Sequence, residues 1–125
     1  MAQDAKDNGK VLFVGRDIFL GTMVSQALQK GGFINQTVSP LQVRSVLAGT
    51  EQIRAIVVDL KETRDHLSEI VDAVGTKRKI MLVGIAFHTD QDAKNQAHKA
   101  GIDHVMHRSQ IQSQLSQLLL TGKAV

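Results

Sequence analysis

One carboxylate stands out by its position. Asp59 follows the unbroken apolar run Ala55-Ile56-Val57-Val58, so it sits where buried chain meets the surface. Moving a lone charge out of water is expensive, so such a group is expected to have a cation close by or to cap the polar loop or helix that follows. Three further apolar runs end in a comparable way. Val11-Leu12-Phe13-Val14 leads into Gly15, Arg16 and Asp17, Ile80 to Ile85 leads into Ala86, Phe87 and His88, and Ile102 to His107 leads into Arg108. If these ends converge, Arg16 and Arg108 flank Asp59, and together with helix N-termini they could also hold an anion.

Other chemistries lack their residues. His98, His104 and His107 invite a metal reading, because imidazole is a common zinc ligand. Their spacing contains no helical i, i+4 pair, and His104 and His107 lie an odd number of positions apart, on opposite faces of a strand. Cysteine is absent, which removes thiolate nucleophiles, disulfides and Cys-ligated metals. The stretch Gly15 to Gly21 does not form G-x-G-x-x-G, and no G-x-x-x-x-G-K-[ST], H-E-x-x-H or G-x-S-x-G occurs. No catalytic residue, no enzymatic activity and no resident cofactor are therefore expected.

The elements that must position these residues alternate regularly. Short β-branched runs and amphipathic segments form five βα units from Lys10 onward, the pattern of a parallel sheet covered on both faces. Asp17 is placed to cap a first helix that carries Phe19, Met23, Val24, Ala27 and Leu28 and stops at Gly31-Gly32. Phe33 to Val38 reads as a polar edge strand, and Ser39-Pro40 opens the second helix. A polar loop after Asp59 precedes a third helix marked by Leu67, Ile70, Val71 and Val74, closed by Gly75 and the basic turn Lys77-Arg78-Lys79. The fourth helix, from Thr89 or Asp90 to Lys99, has only an alanine face and should pack shallowly. Ile111, Leu115, Leu118 and Leu119 supply the stripe of the fifth. In open parallel sheets, ligands bind beyond the carboxyl ends of the strands, which is where Asp59, Gly15, Arg16, Asp17, Ala86, Phe87 and Arg108 fall.

Length and composition agree with one domain. The 125 residues are 42% apolar and 22% charged, with ten Gly and one Pro, ordinary for a globular fold. Residues 1–9 read as a flexible polar segment, 10–120 as the domain, and 121–125 as a tail or the start of a linker. No secretory signal and no apolar run near the roughly 20 residues of a membrane span is present, so a cytoplasmic location is expected. The net charge of +3 is spread among acids, and the only aromatics are four Phe. Both facts argue against nucleic-acid binding through basic patches or base-stacking platforms.

Over roughly Lys10 to Leu120 the chain resembles a response-regulator receiver domain. The resemblance rests on the five βα units, Asp59 at the end of the third strand, Ala100-Gly101-Ile102-Asp103 before the fifth, and a basic residue, Arg108, after it. It implies a flavodoxin-like (βα)5 three-layer α/β sandwich with parallel strand order 2-1-3-4-5, and it makes Asp59 the equivalent of the phosphorylated aspartate. The family's acidic pair for magnesium matches Gly15 and Arg16, with Asp17 one residue further on. The hydroxyl after the fourth strand matches Ala86, the switch aromatic matches Val105, and the Pro after the family lysine matches Ser109.

Phosphoryl transfer to a carboxylate needs a cation to offset the charge on the transferring oxygens. With Arg16 where an acid belongs, the sequence predicts that Arg16 takes the metal's place and that Arg16 and Arg108 depress the Asp59 pKa. The leading expectation is thus a signalling receiver-like module that binds proteins without magnesium-dependent phosphorylation. An alternative is a working receiver, phosphorylated on Asp59 by a histidine kinase, with Asp17 and Asp59 as the only candidate Mg2+ ligands. A further alternative is an anion or small-ligand binder. The expected partner surface is the fourth helix, fifth strand and fifth helix, rich in Gln91, Gln96, Gln110, Gln112, Gln114 and Gln117 with Lys94 and Lys99.

Overall fold

Apolar runs without polar interruption can be strands only if both faces are covered, and that is how the chain folds. The computed structural model describes residues 8–49, 52–75 and 79–122. Readings made for 1–7, for Lys77 and Arg78 of the basic turn, and for 123–125 lie outside the described residues.

Strands β1 (Lys10–Val14), β2 (Ile34–Val38), β3 (Ile53–Asp59), β4 (Met81–Ala86) and β5 (His104–His107) form one parallel sheet. Their order, β2-β1-β3-β4-β5, is the flavodoxin-like order expected. Among the described residues the α-helices are α1 (Ile18–Lys30), α2 (Val43–Leu47), α3 (Leu60–Thr63), α4 (Leu67–Val74), α5 (Gln91–Ala100) and α6 (Ile111–Thr121). Helices α1 and α6 cover one face through Leu20, Leu28 and Leu115 packed on Phe13 and Ile85. The remaining helices cover the other face, where Leu60, Ile70 and Ala97 meet Leu12, Ile56 and Val58. Each fully buried side chain of this size contributes about 1.5–3 kcal/mol relative to exposure.

Three boundaries differ from the sequence reading. Asn8 and Gly9 belong to the fold, since the Asn8 N–H donates to Gly32 O at 2.9 Å and the Ile34 N–H to Gly9 O at 3.0 Å. Thr121 is the last residue of α6 rather than part of a tail, and Gly122 ends that helix at a φ of 74°. The stretch after Asp59 is not a polar loop. It is α3 followed by a 3-10 turn at Arg64–His66, because Leu60 and Thr63 are buried and the Asp59 side chain caps the first turn. The expected fourth and fifth helices are therefore α5 and α6.

One glycine makes this arrangement possible. A Cβ at Gly84, mid-β4, would lie 2.8–2.9 Å from three side-chain carbons of Leu60. The bare backbone of β4 thus leaves room for Leu60, which holds the start of α3 and its capping Asp59 against the sheet.

Candidate functional site

The strand register brings the expected residues to one end of the sheet. Val14 pairs with Val58, Asp59 with Ile85, and Ala86 with His107, so Gly15, Asp59, Ala86 and Arg108 emerge from neighbouring strands. Packing there is tight. A Cβ at Gly15 would stand 3.0 Å from both Asp59 Cβ and the Phe13 ring.

Asp59 is only 3% exposed. Its Oδ1 accepts the Lys61 N–H at 3.1 Å, and its backbone carbonyl accepts the Thr63 hydroxyl at 2.8 Å. Of the two sequence readings, helix capping is the one realised. Among the described residues no cation forms a salt bridge with the carboxylate. Burial consequently pushes its pKa above the ordinary aspartate value, and the nearby Glu62 charge adds to this; the Lys61 N–H and the Arg108 charge pull the other way without prevailing. The expected depression is thus corrected to a rise.

Arg16 does not occupy a metal's place. Its side chain is exposed, and its backbone N–H donates to Glu62 Oε2 at 2.8 Å. The arginine that does engage an acid is Arg108, whose Nη2 lies 3.0 Å from Asp17 Oδ2. Asp17 is the N-cap of α1, with Oδ1 accepting the Leu20 N–H at 3.1 Å. That backbone bond, then the Arg108 hydrogen bond, hold the Asp17 carboxyl below its ordinary range. Arg108 also lies over the Phe87 ring, 4.7 Å from its centroid, and the Lys61 ammonium is 5.7 Å from the same ring.

Two clefts among the described residues take in some of the expected site residues. Gly15 and Arg16 sit where two clefts meet. One, of about 290 Å³, runs over Ser39, Pro40, Leu41, Glu62, Thr63 and His66. The other lies between α1 and β2. Neither cleft includes Ala86, Phe87 or Arg108. Ala86 is buried and presents a methyl where the resemblance calls for a hydroxyl.

The donor set does not fit magnesium, which takes near-octahedral oxygen ligands. Both Asp17 oxygens are engaged by Leu20 and Arg108, and Glu62 Oε2 is engaged by the Arg16 N–H. Among the described residues no group of three or more acidic or histidine side chains is placed to hold a metal. Lys61, Glu62 and Thr63 were not singled out from the sequence. Their signal was a short amphipathic turn, with Leu60 and Thr63 at i, i+3 directly after a strand-terminal Asp.

A search of protein-family models gave no match, and neither did a search of curated proteins. Solved structures do resemble the fold. A response regulator from Thermotoga maritima superposes with a TM-score of 0.72 at 17% identity, over 90% of this chain and 98% of that one. One from Hahella chejuensis gives 0.72 at 14% identity, over 91% and 96%. An uncharacterized protein from Neptuniibacter caesariensis gives 0.65 at 18%, over 82% and 78%. At these identities the likeness establishes the fold: the chain has the flavodoxin-like architecture of response-regulator structures.

Proposed function

We propose that this chain is a signal-transduction module of receiver-like architecture that acts by binding proteins, without magnesium-dependent phosphorylation of Asp59. The observation that carries this reading is the pairing of Asp17 with Arg108 beside a buried, cation-free Asp59. The acid nearest the position of the family's metal pair is neutralised by an arginine. The acid in the phosphoacceptor position is shielded and harder to ionise, which weakens it as a nucleophile.

The surface around this site fits a binding role. Ile18 and Phe19 are 80% and 82% exposed, and Leu41 is 75% exposed, in a rim that also carries the exposed cations Arg16 and Lys61. Of the two candidate contact surfaces we favour this rim over the α5–β5–α6 face, whose only large exposed apolar side chain is Leu120. The partner fitting the rim is a protein segment presenting apolar side chains together with carboxylates.

The test is an amide NMR titration with magnesium plus beryllofluoride or acetyl phosphate. No saturable shifts are expected around Asp59. Saturable shifts there, absent in Asp59→Asn, would establish the phosphorylated alternative instead. No helix among the described residues is long and apolar enough to cross a membrane.

A further inference from the structure

The turn between β4 and α5 gathers basic groups from three parts of the chain. The ring of His88, in that turn, meets the ring of His107, at the end of β5, edge-on, with centroids 6.1 Å apart and planes at 61°. Lys94, in the first turn of α5, donates from Nζ to the His88 carbonyl at 2.9 Å. Among the described residues neither imidazole is ion-paired with an acid. The neighbouring acids are committed elsewhere. Asp90 Oδ1 caps α5 by accepting the Ala93 N–H at 3.1 Å, and its Oδ2 lies 4.0 Å from Arg64. Asp92 is exposed on α5, Asp17 is held by Arg108, and Asp103 accepts the Leu82 N–H near the other end of β4. From the side of α6, which has no acid in its first turn, Gln110 offers only a neutral contact, its Oε1 accepting the His107 N–H at 2.9 Å. His104 stands three positions back in β5, on the opposite face.

Imidazoles take up protons between about pH 8 and pH 5. Burial, then the Lys94 and His88 charges, hold the His107 pKa below the ordinary histidine value. As the pH falls, positive charge therefore accumulates beside the Lys94 ammonium with no carboxylate paired against it. The helix that would have to yield is weakly held. Only Ala93 and Ala97 of α5 are buried, and a methyl contributes far less on burial than a leucine or phenylalanine side chain. The turn itself is short-linked to the helix, with the Asp90 N–H donating to Phe87 O at 3.0 Å, and Phe87 is the ring on which Arg108 rests.

We propose that His88, His107 and Lys94 form a pH-operated latch on the β4–α5 turn, closed while the imidazoles are neutral and opened by their protonation. Closed, the Lys94 bond to the His88 carbonyl ties the first turn of α5 to the end of β4. Open, the imidazolium charges repel the ammonium, and the bond and the first helical turn give way together. Phe87 moves with the turn, so Arg108 loses the ring beneath it and the Asp17–Arg108 pair loosens. Protonation thus reaches the site at the carboxyl ends of the strands without any ligand entering it. The latch does not depend on what the chain binds, because it is read from the fold alone.

Amide hydrogen-exchange protection factors and histidine NMR shifts of the full chain, followed from about pH 8 to about pH 5, test this. Protection of the Ala93 and Lys94 amides should fall by roughly tenfold, the effect of about one pKa unit of differential proton binding, with the midpoint of the His107 ring, while the β1 and β3 amides keep theirs. The Phe87 and Arg108 amides should shift with the same midpoint. His107→Gln should abolish most of the loss. Lys94→Met should raise the His107 midpoint toward 6.5 and leave the first turn of α5 insensitive to pH. Circular dichroism melts establish that each variant is folded. Protection of Ala93 and Lys94 that is the same across the range in the unmodified chain overturns the proposal. So does a loss that persists undiminished in folded His107→Gln.

Discussion

Asp17 and Asp59 occupy like positions and behave in opposite ways. Each lies at the carboxyl end of a central strand, each caps the helix that comes next, and each accepts a backbone N–H through Oδ1 at 3.1 Å. Asp17 has Arg108 at 3.0 Å on its other oxygen, and its pKa is lowered. Asp59 has no such partner, is covered by Gly15 and the start of α3, and its pKa is raised. The arginine went to the acid that water could still reach, where pairing requires little desolvation. The buried acid relies on a cap bond alone. Which way each carboxyl's pKa moves at this end of the sheet is therefore decided by burial, not by how many arginines lie nearby in sequence.

The largest effect is expected from Gly84→Ala. The added methyl meets Leu60, should destabilise the fold by about 1–3 kcal/mol through overpacking, and should displace the cap of α3. If burial sets the difference between the two acids, the Asp59 pKa then moves back toward 3.8, the ordinary value, while that of Asp17 stays put. Denaturant unfolding and carboxyl NMR measure the two effects.

Asp59→Asn is expected to act next most strongly, and in the stabilising direction. Asparagine keeps the oxygen that caps Lys61 and removes a charge held out of water, so the variant should be the more stable near neutral pH. The sign follows from linkage. With the folded pKa raised, Asp59 favours the native state below 3.8, and that contribution is lost as pH rises through the folded value. The advantage of the variant should thus vanish below 3.8 and be complete at neutrality. A variant less stable than the parent at neutral pH would show that Asp59 is paired after all.

Asp17 should respond in the reverse sense. Its contribution is present above 3.8 and is lost as pH falls through its lower folded value. Asp17→Asn keeps the cap and loses the ion pair, so the Tm should fall by a degree or so. Asp17→Ala loses both and should fall by several degrees. Equal losses would mean that the Arg108 pair adds nothing. An effect of similarly small size is expected from Phe87→Leu, which removes the ring beneath Arg108 at a cost of about 0.5 kcal/mol, measured by thermal melting.

Much of this was legible in the residues. The runs at 11–14, 55–58 and 80–86 required a sheet covered on both faces, and Asp17, Gly31 and Gly75 marked helix boundaries correctly, while Pro40 opens a 3-10 turn and the α-helix starts only at Val43. The polar composition of 34–38 placed β2 at the edge. Pairing between side chains was less legible. Arg16 and Arg108 look equivalent in sequence, yet Arg16 is exposed while Arg108 pairs with Asp17. The helix after Asp59 was missed because four residues are too few to show a period, and its stability comes from Leu60 fitting over Gly84, a contact between residues 24 positions apart in the chain.

The central claim is that Asp59 is a buried cap rather than a metal-assisted phosphoacceptor. Carbon-detected NMR titration of its carboxyl group, with and without millimolar magnesium, tests this most directly. The predicted result is a midpoint above 3.8 that magnesium leaves unchanged. A midpoint below 3.8, or one that magnesium moves saturably downward, would contradict it.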